Sequence, residues 1–235
     1  MAAELIEALQ LGRVPRVVGT IITADFLQRW GANPTPLRCD LVELRLDGFS
    51  DCADWIRIGK QIEHQGKPVV VTLRLKNEGG KWGGGDLERW PLLEPAIRNF
   101  SGVDVEVRSE LAPAVSELCK QLGKLSVFSF HDFEKTPPRE ELEHLLASAE
   151  RLGGIGKIAA TAQTPEDVEL LRSILQKRRA SPICIIGMGP HGKETRLDFP
   201  LEGSCFTYGY LDSPGAPGQF SAQELSDHFR TLRRA

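Results

Sequence analysis

Lys157 lies in the run IGKIAAT (155–161), between Gly156 and Ile158, in a segment that reads as a β-strand. Most other lysines of the chain fall in helical or loop segments where an ammonium stays wet, and lysine is seldom buried without a partner or a task. Burial and nearby arginines both lower a lysine's pKa and supply the free amine that attack on a carbonyl requires. The competing reading is a lysine paired with an inner carboxylate such as Glu106. His131 closes the run LSVFSFH (125–131) and shares one face with Ser129, while Phe128 and Phe130 share the other. That parity turns the imidazole inward, where it serves either as a general acid and base or as a satisfied core histidine.

Two further runs place charge where apolar residues are expected. In 41–47, Glu43, Arg45 and Asp47 alternate with Val42, Leu44 and Leu46; in 102–108, Asp104, Glu106 and Arg108 alternate with Val103, Val105 and Val107. With the apolar set against surrounding helices, the charged set points inward, and an unpaired ion there costs several kcal/mol. Such residues either line a site or form an internal salt-bridge network at a polar barrel bottom.

The elements that must carry these side chains are short and β-branched. Runs at 16–22, 41–47, 68–74, 102–108, 125–131, 155–161, 182–188 and 205–211 read as strands, with helix-like patterns around 54–65, 109–122, 138–152 and 165–178. A last helix follows 205–211, with Ser221 as N-cap and Glu224 as its capping-box partner. Eight βα units in 235 residues predict a single α/β domain over 1–235, a (β/α)8 TIM barrel, with 1–15 as a helical N-terminal extension. An open doubly wound sheet is the competing fold. In a barrel, His131 sits at the strand end where active sites are built. The Gly-rich stretch 79–86 reads as a mobile loop.

Several function classes are set aside. Hydrophobic residues make up 41% and charged residues 26%, the balance of an ordered globule, and the net charge of −3 gives no general attraction to nucleic acid or anionic membranes. The five cysteines, Cys39, Cys52, Cys119, Cys184 and Cys205, are widely spaced and lack C-x-x-C pairing, which suggests neither disulfides nor zinc. With no metal-ligand motif, no metal is expected. No signal-like or membrane-spanning run is seen, and a cytoplasmic protein is expected. Gly187, Gly189 and Gly192 form a literal G-x-G-x-x-G, but the segment after it is short and interrupted by Pro200, unlike a dinucleotide-binding unit. The glycines read instead as an anion-holding loop, with Arg196 available to grip a carboxylate or phosphate.

The motifs E-L-R-L-D (43–47), T-L-R-L-K-N-E-G-G (72–80), S-F-H-D-F (129–133), K-I-A at Lys157, M-G…R-L at Met188 and Arg196, and A-P-G-Q (216–219) together resemble those of the type I 3-dehydroquinate dehydratases. The resemblance implies dehydration of 3-dehydroquinate to 3-dehydroshikimate in the shikimate pathway, with no metal and no organic cofactor. By the same resemblance Lys157 forms a Schiff base with the substrate ketone, His131 moves protons and Glu78 orients His131. Glu43, Arg45 and Arg74 bind substrate hydroxyls, Arg196 and Gln219 hold the substrate carboxylate, and Met188 walls the pocket. A homodimer is implied as well. Two positions depart from the pattern: Gly215 stands where a serine precedes A-P-G-Q, with Ser213 two residues earlier, and Thr195 precedes Arg196 where serine is common. A class I aldolase acting on a sugar phosphate and a non-catalytic binding barrel are the alternatives.

Overall fold

In the computed structural model, described over residues 2–49, 53–177, 179–215 and 219–232, eight parallel strands alternate with helices. The strands are β1 (Val17–Ile21), β2 (Leu41–Arg45), β3 (Val69–Thr72), β4 (Gly102–Glu106), β5 (Leu125–Asp132), β6 (Ile155–Thr161), β7 (Ile183–Met188) and β8 (Thr207–Tyr210). Each pairs with its neighbour in sequence from β1 to β7, and β8 pairs with β1. At the seam between β7 and β8 the Cys205 amide donates to the Ile183 carbonyl at 2.8 Å, and Ser204 Oγ accepts from the Ile185 amide at 3.0 Å. The sheet is therefore a nearly closed (β/α)8 barrel, the fold expected from the alternation, and not an open doubly wound sheet.

Helices cover the outer face: α2 (Ala24–Ala32), α3 (Trp55–His64), α4 (Trp90–Asn99), α5 (Ala112–Leu122), α6 (Arg139–Arg151), α7 (Pro165–Leu175), α8 (Gly189–Gly192), α9 (Thr195–Leu201) and α10 (Ala222–Leu232). The expected capping box starts α10: the Glu224 amide donates to Ser221 Oγ at 3.1 Å, and the Ser221 amide donates to Glu224 Oε2 at 2.7 Å. A short N-terminal helix, α1 (Ala2–Ala8), turns Leu5 and Ile6 toward the apolar barrel floor of Val18, Leu41, Val70, Leu125, Val127 and Ile155.

Above that floor the interior becomes polar. Register partners share a face in a parallel sheet, so Thr20 and Glu43, Thr72 and Asp104, Glu106 and Ser129, and Ser129 and Lys157 all point inward. Val42, Leu44, Val103 and Val105 pack outward among the helices. Two charges leave this pattern because their strands have already ended. Arg108 was expected inward; it lies past β4, stacks over Phe130 at 4.8 Å and pairs with Glu141 at 2.6 Å on the surface. Asp47 sits in the 3-10 turn Leu46–Gly48 after β2 and folds back on Arg45.

Candidate active site

The C-terminal ends of the strands surround an open cleft. Its lining includes every residue assigned by the sequence: Lys157, His131, Glu78, Glu43, Arg45, Arg74, Arg196, Gln219 and Met188. Six of the eight strands, β2, β3, β5, β6, β7 and β8, or the segments that follow them supply these side chains, which converge although they are scattered from position 43 to position 219.

Lys157 extends from the middle of β6, only 5% exposed, and its Nζ donates to Asp104 Oδ2 at 3.0 Å. The lysine thus has an inner carboxylate partner, but the partner is Asp104 and not Glu106. Asp104 also receives Arg74 Nη2 at 2.6 Å and Ser129 Oγ at 2.6 Å. Burial alone would push its carboxyl up, but the charges of Arg74 and Lys157 and the Ser129 hydrogen bond more than offset that and hold it down to about 2. A carboxylate so acidic cannot keep a proton that Lys157 gives up. Glu106 is occupied elsewhere, accepting Arg74 Nη1 at 3.0 Å, Arg89 Nη1 at 2.5 Å and the Leu75 amide at 3.0 Å.

His131 stands at the end of β5. Its amide donates to Glu78 Oε2 at 2.9 Å, and its Nδ1 lies 3.0 Å from the same oxygen. Glu78 comes from the 3-10 turn Lys76–Glu78 after β3, closed by Gly79 in the left-handed region at φ +78°. With Nδ1–H directed to Glu78, Nε2 is the nitrogen left to act on a substrate; among the described residues no side chain bonds it. Burial, then the positive charges of Arg74, Lys157 and Arg45, keep His131 well below the usual histidine range and therefore neutral. Burial raises the Glu78 carboxyl to about 7 against the pull of Arg74. A neutral imidazole oriented by a carboxylate is the arrangement a general base needs.

The other polar walls are held by hydrogen bonds of their own. Glu43 accepts Thr20 Oγ1 at 2.9 Å and Thr72 Oγ1 at 2.7 Å, which fixes its carboxylate at the cleft. Arg45 is braced by both Asp47 oxygens, at 2.9 and 2.8 Å, and Asp47 also accepts the Arg74 and Lys81 amides. On the opposite side Arg196 is 6% exposed and donates to the Tyr208 carbonyl at 3.2 Å. Among the described residues no carboxylate pairs with it, and burial lowers its pKa to about 10. A buried guanidinium without an anion is costly, so this side of the cleft is prepared for one.

The loop carrying Arg196 explains the misleading glycine motif. A side chain on Gly192 would place Cβ 2.3 Å from the Gly187 backbone, and the Gly187 amide donates to Thr195 Oγ1 at 2.8 Å. The glycines allow α8 to press on the end of β7 and so aim α9 and Arg196 inward. The hydroxyl of Thr195 serves this packing. Gln219 Oε1 accepts the Gly215 amide at 2.8 Å; Gly215 lines the cleft and Ser213 does not, while the A-P-G of the A-P-G-Q motif lies outside the described residues.

Sequence reasoning turned Asp104 inward but gave it no task, and it passed over Tyr208, Thr20 and Phe133, all of which contribute to the site or its rim. For Tyr208 the signal was present: Phe206, Tyr208 and Tyr210 alternate in 205–211, so one aromatic face had to point into the barrel. Phe133 carried no such signal, because it lies beyond β5.

A family model described as Type I 3-dehydroquinase matches residues 31–235. Similar proteins include a 3-dehydroquinate dehydratase of Methanocella arvoryzae, 33% identical over 93% of this chain and 97% of that protein. Another is that of Methanosarcina barkeri, 39% identical over 79% of this chain and 82% of that one. Among solved structures, the 3-dehydroquinate dehydratase of Geobacillus kaustophilus superposes with a TM-score of 0.81 at 26% identity, covering 94% of this chain and 91% of that one. The type I enzyme of Clostridium difficile with covalently modified comenic acid gives 0.82 at 25% identity, covering 95% and 94%.

Proposed function

The chain belongs to the type I 3-dehydroquinase family, and we propose on that premise that it dehydrates 3-dehydroquinate to 3-dehydroshikimate, in the shikimate pathway, through a Schiff base on Lys157. The observation that supports this reading best is a buried amine, a neutral His131 bonded to Glu78 and a buried Arg196 with no carboxylate partner among the described residues, all around one cleft. The substrate brings a ketone for the amine, a proton on the neighbouring carbon for the imidazole and a carboxylate for the guanidinium.

The steps follow from these protonation states. Lys157 gives up a proton, which Asp104, held down to about 2, cannot hold; His131 Nε2, bonded by no side chain among the described residues, is placed to relay it. The amine attacks the ketone, the carbinolamine loses its hydroxyl as water with the proton returned by His131, and a protonated imine remains on Nζ beside an imidazole that is again neutral. His131 Nε2 then takes the proton from the adjacent carbon, and the electron pair left behind moves toward the imine nitrogen to give an enamine. The enamine expels the hydroxyl with the proton returned by His131, and hydrolysis of the conjugated imine releases product and free Lys157. One water is lost in condensation and one regained in hydrolysis, so the sum is a single dehydration. Neither metal nor organic cofactor enters. Glu43, Arg45 and Arg74 hold the ring hydroxyls, Arg196 and Gln219 the carboxylate, and Met188 closes the apolar wall.

A homodimer in the cytoplasm completes the proposal; light scattering that gives a monomer mass would remove the dimer. Turnover is tested by the rise in ultraviolet absorbance of the conjugated enone when 3-dehydroquinate is added. Lys157→Met should abolish it, a loss on the order of the ~10⁶-fold seen when a nucleophile is removed and only binding and electrostatics remain. Turnover within tenfold of the parent would exclude a Schiff base at this residue.

A further inference from the structure

Tyr208 touches three functional groups at once. Its ring centroid is 4.0 Å from Lys157 Nζ, and its backbone carbonyl accepts Arg196 Nη1 at 3.2 Å and Gln219 Nε2 at 3.5 Å. The ring is held in place: Tyr208 is 6% exposed, pairs across β1 with Val18 and meets Phe206 edge-on at 6.3 Å. Nζ is therefore bracketed by a carboxylate oxygen, Asp104 Oδ2 at 3.0 Å, and by the negative face of an aromatic ring.

The two contacts behave differently when the amine becomes an imine. An ammonium has three N–H donors, whereas a protonated imine has one. After condensation Asp104 can satisfy that single N–H, but the positive charge then spreads over nitrogen and carbon and no longer presents hydrogens to a second acceptor. A π-face stabilises cationic charge without needing a hydrogen bond and loses nothing on this change. We propose that Tyr208 is a positioning residue for the reaction, its ring keeping the Lys157 adduct protonated so that the imine remains an electron sink while the neighbouring carbon is deprotonated. This rests on the Schiff-base reading above. The chemical consequence is specific: a neutral imine cannot accept the electron pair, so losing the ring slows proton abstraction without weakening carboxylate binding.

The titratable groups around Nζ are Asp104 from β4, His131 from β5, Cys184 from β7, Cys205 before β8 and the phenol of Tyr208 itself, which burial pushes up, with Arg74 from the segment after β3 beyond Asp104. Tyr208→Phe keeps all of the other groups and the ring, and removes only the phenol hydroxyl.

Borohydride reduces the protonated imine, so the fraction of enzyme trapped with 3-dehydroquinate, followed against pH, reports where the adduct loses its proton. In the parent enzyme trapping should persist to high pH. Tyr208→Phe keeps the ring and should retain both the profile and kcat within about threefold. Tyr208→Leu should lower kcat by the ~2- to 30-fold that a cation–π contact supplies, move the trapping profile to lower pH and leave KM nearly unchanged. Because leucine also leaves a void, fluorinated phenylalanines placed at 208 provide a series of nearly constant volume with a progressively weaker ring field. The profile should shift downward with each fluorine. A flat series, or a Tyr208→Phe loss as large as that of Tyr208→Leu, would overturn the role of the ring while leaving the parent adduct, and the reading beneath it, intact. Absence of any adduct in the parent enzyme would overturn both.

Discussion

Glu78 and Arg196 are both kept in states that cost the fold free energy, and the two costs have different signatures. The Glu78 carboxyl is raised to about 7 by burial, against 4.5 for an ordinary glutamate. Between those values the folded protein keeps a proton that the unfolded chain has lost, so stability falls as pH rises through that window, by about 3 kcal/mol in all. Glu78→Gln should remove this slope and melt higher than the parent at pH 8, while its activity falls because an amide no longer fixes the His131 tautomer. Thermal melts across this range check the prediction, and an unchanged slope would contradict it. If Arg196 holds the substrate carboxylate as proposed, Arg196→Ala should chiefly raise KM, by the ~10- to 150-fold expected when a charge-assisted hydrogen bond worth about 1.5–3 kcal/mol is lost. A normal KM in steady-state kinetics would displace Arg196 from the carboxylate site.

At the scale of elements, the site is supported by a row of alternating buried charges that crosses several loops. Asp86, the last residue of the Gly-rich stretch, bonds Arg89; Arg89 reaches Glu106 on β4; Glu106 meets Arg74, Arg74 meets Asp104, and Asp104 meets Lys157. Arg89 is fully buried, donates to the Leu73 carbonyl at 2.7 Å and to Ser109 Oγ at 3.0 Å, and so ties the loops after β3 and β4 together. Arg89→Met leaves Glu106 with half its compensation and should cost about 3–5 kcal/mol, a large part of a domain's usual margin. Urea denaturation should show a lowered midpoint for Arg89→Met, partly recovered by adding Glu106→Gln; a midpoint equal to the parent's would refute the tie. This row was half legible in the sequence. Asp104 and Glu106 announced themselves by alternation within a strand, whereas Arg89 sits in a 3-10 turn before α4, where no periodicity marks a residue as buried. The helix α4 was itself hard to see, since WPLLEPAIRN contains Pro91 and Pro95, and α2 is short and begins only at the Thr23 cap. Arg108 was misplaced for the converse reason: alternation was extended past Glu106, where the backbone had already turned.

At the scale of the whole molecule, the barrel order follows from repeated βα units, which is why the fold was legible from eight β-branched runs. The convergence of Glu43, His131, Lys157 and Arg196 on one cleft was legible only through strand parity and motif order, because no local signal brings positions 43 and 196 together. Tyr208 was the part that parity could have reached and did not. The central claim is that this convergence makes Lys157 a covalent catalyst for 3-dehydroquinate. Its most direct test is mass spectrometry of peptides after borohydride reduction in the presence of 3-dehydroquinate, on the parent and on His131→Ala. The parent and His131→Ala should both carry ligand mass on the peptide containing Lys157, while His131→Ala loses turnover by ~100- to 10,000-fold. An unmodified Lys157 peptide, an adduct formed only with a sugar phosphate, or full turnover without His131 would contradict the account.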